Sequence, residues 1–165
     1  MYTNNQEFSL CGKVRIELIR AAFAKGAFFR FTAKGFSMFP FIRSNDVITL
    51  VPLSLSPVEI GKAVAYVCPV HNKLIVHRVI DRKKGCYLIK GDNVPKPDCL
   101  IAKEHILGCV TAIQRNNKAV FLSLGPERAI IAFLSRTGML RLILWLLRLI
   151  IPKPLRRFIR CRTCL

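Results

Sequence analysis

Between residues 27 and 125 the chain is a succession of short apolar runs, each closed by turn residues. FFRFTA (28–33) alternates apolar and polar positions and reads as a strand. DVITLVPL (46–53), AVAYVCPV (63–70), KLIVHRVI (73–80), CYLIKG (86–91), ILGCVTAI (106–113) and AVFLSL (119–124) are β-branched or aromatic runs of strand length. Turn signals separate them: Arg43-Ser44-Asn45-Asp46, His71-Asn72, Lys83-Lys84-Gly85, Asp92-Asn93 through Pro97, and Asn116-Asn117. Strands this close together leave no room for intervening helices. The pattern predicts a mainly β domain over 27–125, as a coiled sheet, a sandwich or an open barrel.

The flanks follow a different period. Residues 11–25 place Val14, Ile16, Leu18, Ile19, Ala22 and Phe23 at partly helical spacing, and Gly26 follows as a stop. Residues 1–26 are therefore expected to form an N-terminal segment with a short amphipathic helix, lying on the domain or on a membrane. Gly125-Pro126 ends the β texture. Residues 127–151 are helical in composition, Gly138 is a point of division, and Pro152 and Pro154 are stops. Arg141 and Arg148 stand seven apart and share one helical face near Trp145. Inside a bilayer each would cost about 2.5–3.5 kcal/mol on insertion scales. A charged stripe on an otherwise apolar helix favours an interfacial anchor in 126–165 over a span. Packing on the β domain is the third placement.

Charge strengthens that expectation. The chain has 27 Lys and Arg against 9 Asp and Glu, and from Arg128 onward it has basic residues and no acidic one. Such a surface attracts phospholipid headgroups, nucleic acid or acidic peptides. Basic and aromatic residues are not interleaved across the strands as a base-stacking platform requires, so no nucleic-acid partner is expected. Membrane lipid is the expected partner of residues 127–165. The opening residues 1–10 are polar, and no secretory leader or uncharged run of spanning length is expected there. The 7 cysteines are odd in number and scattered, which fits buried thiols in a reducing compartment better than a disulfide framework. Cys161 and Cys164 form a lone C-x-x-C with no second pair at zinc-ligand spacing, so no metal is expected.

Three segments carry possible chemistry. Gly35-Phe36-Ser37-Met38-Phe39-Pro40 puts a serine on a loop that Gly35 lets run close to a substrate and that Pro40 stiffens. A serine becomes a nucleophile near neutral pH only with a base beside it. His77, in Val76-His77-Arg78-Val79-Ile80, lies within a strand. Lys90-Gly91-Asp92-Asn93-Val94-Pro95-Lys96-Pro97-Asp98 ends a strand and supplies two carboxylates. Taken singly, each is as ordinary as a turn serine, a strand histidine and a polar turn.

Their order along the chain resembles the S26 signal-peptidase family over residues 30–113. The related LexA-like S24 peptidases share the fold and the nucleophile region. In them, and in the usual bacterial signal peptidases, the base is lysine. His77 followed by Arg78 resembles instead the Ser/His branch of archaea, the endoplasmic reticulum and some Gram-positive bacteria. The resemblance implies a coiled β-sheet peptidase domain with Ser37 as nucleophile, His77 as base and Asp98 as the orienting acid. It gives Asp92, Gly35 and Met38 supporting roles, the Ser37 N–H a place in the oxyanion hole, and requires no cofactor. The implied substrate is a precursor peptide or preprotein, bound as an added strand and cut after small residues; a further subunit is left open. Phe36 and Phe39 replace the family's small and acidic residues beside the Ser-Met pair, and Gly61-Lys62 replaces its Gly-Asp, changes that bear on substrate preference. His71 and His105 match no family position.

A membrane-associated enzyme on the cytoplasmic face is the expected setting. Two rivals stand beside it. A LexA-like self-cleaving regulator requires a DNA-binding domain, for which the residues before the β domain are too few, and an Ala-Gly cleavage pair upstream of Ser37, which is absent. A non-catalytic module that only binds peptides or membranes fits the charge equally well.

Overall fold

The computed structural model describes residues 12–122 and 124–150. The polar opening, Cys11, Pro152, Pro154, the basic tail and the Cys161/Cys164 pair lie outside them, as do the side chains of Arg141 and Arg148.

Helix α1 (Gly12–Ala24) comes first, then strands β1 (Phe29–Thr32), β2 (Val47–Pro52), β3 (Ala63–Val67), β4 (Leu74–Lys83), β5 (Cys86–Lys90), β6 (Leu100–Ile101), β7 (Ile106–Arg115) and β8 (Lys118–Ala119). A 3₁₀ turn at Lys103–His105 leads into β7, and helices α2 (Arg128–Arg136) and α3 (Met139–Ile150) close the described chain. All strand pairs are antiparallel, in the order β1-β2-β7-β3-β4-β5-β6, with β8 on β7. The protein is therefore mainly an antiparallel β-sheet.

Local sequence explains the hairpins. Asn116 and Asn117, with φ of 50° and 60°, turn β7 into β8, and Lys84 and Gly85, at 47° and 82°, turn β4 into β5. Two consecutive left-handed residues match the twist of the strands they join. β3 is buried along its whole length. Val64 and Tyr66 enter one apolar cluster with Val79, Ile89, Ile101 and Cys109, while Ala63 and Ala65 enter another with Ile19, Met38, Ile48 and Val110. A strand covered on both faces has no reason to alternate, which is why AVAYV reads as a continuous run.

Several expectations change. The run AVFLSL pairs only through Lys118–Ala119; Val120 adds one bond to the Ile113 carbonyl, 2.9 Å, and the chain leaves the sheet with Phe121 80% exposed. Val120 and Leu124 instead pack back on the cluster around Ile48 and Val110. The two-residue β6 was not anticipated, because Leu100–Ile101 is too short to show a period. The helical stretch after Pro126 is divided at Gly138, whose φ of 77° ends α2 in a conformation that costs a glycine least.

Both flanking helices pack on the sheet. α1 buries Ile16 and Ile19. α2 buries Ile131, Ala132 and Ser135, and is tied down at both ends by Arg128–Glu59 at 2.8 Å and Arg136–Asp81 at 3.3 Å. The Lys90 ammonium, buried beneath α2, donates to the Ser135 carbonyl. Among the described residues no helix is long and apolar enough to cross a membrane.

Candidate active site

The loop between β1 and β2 carries Ser37. Its base is closed by the bonds Ala33 N–H to Asp46 O, 2.7 Å, and Asn45 N–H to Ala33 O, 2.9 Å. The buried Asp46 carboxylate also accepts from the Arg43 N–H at 2.8 Å and, at two points, from Arg115 at 2.8 and 2.7 Å. Gly35 has φ of +95°, a region that favours glycine, and this bends the chain into the Ser37 turn. Phe41 and Ile42 N–H groups both donate to the Met38 carbonyl, at 3.1 and 3.0 Å. Met38 and Ile42 point into the core. The methionine thus anchors the loop from beneath and leaves its neighbour Ser37 half-buried at the wall of a groove of about 380 Å³.

His77 lies on β4, directly opposite Val64 of β3, and lines the same groove. Its Nδ1 is 2.6 Å from Asp98 Oδ2. A carboxylate only accepts, so Nδ1 carries a proton, and in the neutral ring the lone pair is on Nε2. Nε2 faces the Ser37 loop across Gly91. A Cβ on Gly91 would lie 2.8 Å from the Ser37 carbonyl oxygen and 2.9 Å from His77 Nε2. Gly91 is therefore needed for space, and it sets how close the serine loop and the imidazole come.

The turn after β5 is clasped to the serine loop. Asn93 N–H donates to the Ser37 carbonyl at 2.8 Å, and Asn93 Nδ2 donates to the Phe36 carbonyl at 3.3 Å. Among the described residues the Ser37 N–H makes no backbone hydrogen bond. Asp98 is set by its own N–H, which donates to Ile89 O at 2.8 Å. The sequence left two acids available, and the structure separates them. Asp98 holds the imidazole. Asp92 is fully buried and faces Arg78, which donates Nε to Oδ1 at 2.9 Å and Nη2 to Oδ2 at 2.8 Å, with Nη1 on the Gly61 carbonyl at 2.6 Å. The Arg78 guanidinium also lies 5.4 Å from the ring centre of Phe41, which packs with Ile131 and Leu140 of the C-terminal helices. Asp92 and Arg78 thus brace the back of the site. His71 and His105 lie on turns away from the groove.

Two residues went unremarked in the sequence. Tyr66 donates its hydroxyl to Asp98 Oδ2 at 2.8 Å, and burial, then that bond, push the phenol pKa up. A tyrosine inside the apolar run AVAYV was itself a signal, since a buried hydroxyl needs a partner. Gly91 is the second, hidden inside the KGDN turn where the carboxylate draws attention first.

The arrangement offers a hydroxyl, an imidazole with a fixed tautomer, a carboxylate behind it and the Ser37 N–H on one groove. Among the described residues no cluster of His, Cys, Asp or Glu could hold a metal ion. Compared with family models and with curated proteins, the chain matches none.

Proposed function

We propose that the chain is a serine endopeptidase of the signal-peptidase type, built on a signal-peptidase/LexA-like coiled sheet, with Ser37 as nucleophile, His77 as base and Asp98 as orienting acid. The observation that carries the reading is the Asp98–His77 contact of 2.6 Å through Nδ1, with Nε2 and the Ser37 carbonyl both beside Gly91. Ser37 Oγ attacks the scissile carbonyl while its proton passes to Nε2. The oxyanion takes the Ser37 N–H. Collapse breaks the C–N bond as Nε2 returns the proton to the leaving amine. Water, deprotonated by the same nitrogen, then releases the acyl group and restores the serine.

Two strand edges support a peptide substrate. Among the described residues β1 pairs with β2 alone, and β4 pairs with β5 only from Arg78 onward, so Leu74–His77 has one edge without a described strand partner. Phe31, Ala33, Leu74 and Val76 line the groove between these edges. An extended precursor segment fits there as an added strand, with small residues at the cut. The test is cleavage of a panel of extended peptides with Ala or Ser at the central positions, by the parent chain and by Ser37→Ala and His77→Ala. Loss of cleavage in both variants, with folding intact by circular dichroism, is expected. A Ser37→Ala protein as fast as the parent sinks the assignment.

The setting is proposed to be a membrane surface. α2 and α3 turn Ile130, Phe133, Leu142 and Trp145 to solvent, and the sequence beyond them is basic. Apolar side chains beside cations suit an anionic interface. Co-sedimentation with phosphatidylglycerol vesicles is expected, and its absence at low salt removes this part of the proposal.

A further inference from the structure

The groove that holds Ser37 and His77 has a one-sided charge. Arg15 of α1, Lys34 and Arg43 line it, and no Asp or Glu does. Elsewhere four carboxylates are engaged: Asp92 with Arg78, Asp46 with Arg115, Glu59 with Lys62 and Arg128, Asp81 with Arg136. Among the described residues none of the three groove cations makes an ion pair. The two guanidinium groups are nonetheless held in place. Arg15 lies over the Phe31 ring, 5.7 Å from its centre, and Arg43 over Phe39 at 5.6 Å, with Nε on the Pro40 carbonyl at 3.3 Å. Stacking on a ring fixes the plane of a guanidinium and leaves its other N–H groups to point elsewhere. Burial and then the neighbouring Arg115 lower the Arg43 pKa, while the Asp46 carboxylate acts in the opposite direction.

We propose that this groove selects peptides carrying aspartate or glutamate in the segment that lies along it. Arg15, Lys34 and Arg43 are the residues that determine this preference. A planar fork held against a groove wall meets a carboxylate with parallel N–H bonds, and an ammonium at the rim adds attraction at longer range. A lysine in the same substrate segment faces three like charges and is rejected. The preference deepens the peptidase reading and rests on it for the chemistry, although binding is separable from cleavage.

The experiment uses that separation. Intact Ser37→Ala protein is titrated into three fluorescent peptides with one small-residue core, flanked on both sides by Glu, Gln or Lys, and binding is read by anisotropy. At low salt the Glu peptide is expected to bind about tenfold tighter than the Gln peptide and the Lys peptide weaker than both, with the gaps shrinking as salt rises. Arg15→Gln with Arg43→Gln is expected to reduce the Glu/Gln ratio to below about threefold. Lys34→Gln, an exposed change that leaves the stacked pairs in place, is expected to lower it by about a factor of two. Lys83→Gln, at the far end of β4, is the charge-matched control and leaves the ratio unaltered. Equal binding of Glu and Gln peptides, a ratio that survives in the double variant, or displacement of the Glu peptide by an equimolar single-stranded oligonucleotide overturns the proposal. Cleavage by the parent keeps the two ideas apart. A charge ratio without cleavage of any peptide removes the peptidase reading alone. Equal binding with Ser37-dependent cleavage of all three removes the charge preference alone.

Discussion

Tyr66 gives its hydroxyl hydrogen to Asp98 at 2.8 Å, on the same carboxylate oxygen that holds the His77 imidazole. The two donors come from neighbouring strands: Tyr66 sits on β3 two residues beyond Val64, the partner of His77 on β4. In the proposed mechanism the tyrosine is thus a positioning residue that acts on His77 through Asp98. A hydrogen bond to a charged group contributes roughly 1.5–3 kcal/mol. Under the proposed mechanism Tyr66→Phe lowers kcat by about tenfold with little change in KM, and Asp98→Asn lowers it by roughly 10⁴ because the imidazole loses its tautomer. Steady-state kinetics on a cleaved peptide check this. A Tyr66→Phe effect confined to KM removes the positioning role.

The same phenol links stability to alkaline pH. Its pKa is raised by burial first and by Asp98 second, so the folded chain keeps a proton that the unfolded chain loses at about pH 10. Stability from this source is complete below that pH and falls as pH rises towards the folded value. The stability gap between the parent and Tyr66→Phe is therefore expected to narrow above about pH 10. Urea unfolding of both proteins from pH 7.5 to 10.5 measures it. A gap that stays constant or widens contradicts the linkage.

Arg78 and Asp92 are both fully shielded from solvent, so removing one partner strands a buried charge. Arg78→Ala and Asp92→Ala are each expected to lose about 3–5 kcal/mol in urea unfolding. Because Asp92 supports the turn whose Asn93 N–H grips the Ser37 carbonyl, hydrogen exchange in residues 35–42 is expected to rise as well. Unchanged exchange there disconnects the clasp from the serine loop.

Gly91→Ala tests the spacing of the site. The new methyl meets Val94 Cγ2 at 2.7 Å, which can rotate away, but also the Ser37 carbonyl and His77 Nε2, which are held by backbone and by Asp98. Forcing such a group in costs about 1–3 kcal/mol of stability. The larger effect is on activity, since a displacement near 1 Å costs about 10²-fold when reacting groups are pre-aligned. A Gly91→Ala enzyme with parental kcat shows that the two groups have slack between them.

The five short turn and loop signals, from Arg43–Asp46 to Asn116–Asn117, were legible because turn chemistry is local: left-handed residues and Asn or Gly declare themselves without reference to distant chain. The same holds for the seven apolar runs, six of which form strands of four or more residues; the seventh contributes little beyond Ala119. Ser37, His77 and Asp98 were picked out by their order, not by any measure of proximity. The alternatives left open in sequence, Asp92 against Asp98 and anchor against packed helix, were those that depend on what lies across the sheet.

The amino-acid sequence alone determined the strand-rich middle, the division at Gly138 and the basic excess, because these follow from period, turn residues and composition; Ser37, His77 and two candidate acids came from a resemblance in motif order. Only the tertiary structure decided that Asp98 meets His77 while Asp92 is consumed by Arg78, that Tyr66 and Gly91 lie at the candidate site, that α2 is bolted to the sheet, and that three cations with no ion pair among the described residues line one groove. These facts depend on strand register and on how loops and helices pack across the sheet. A one-residue slip of β3 or β4 would turn Tyr66, His77 or Arg78 to the opposite face, and no local pattern records it.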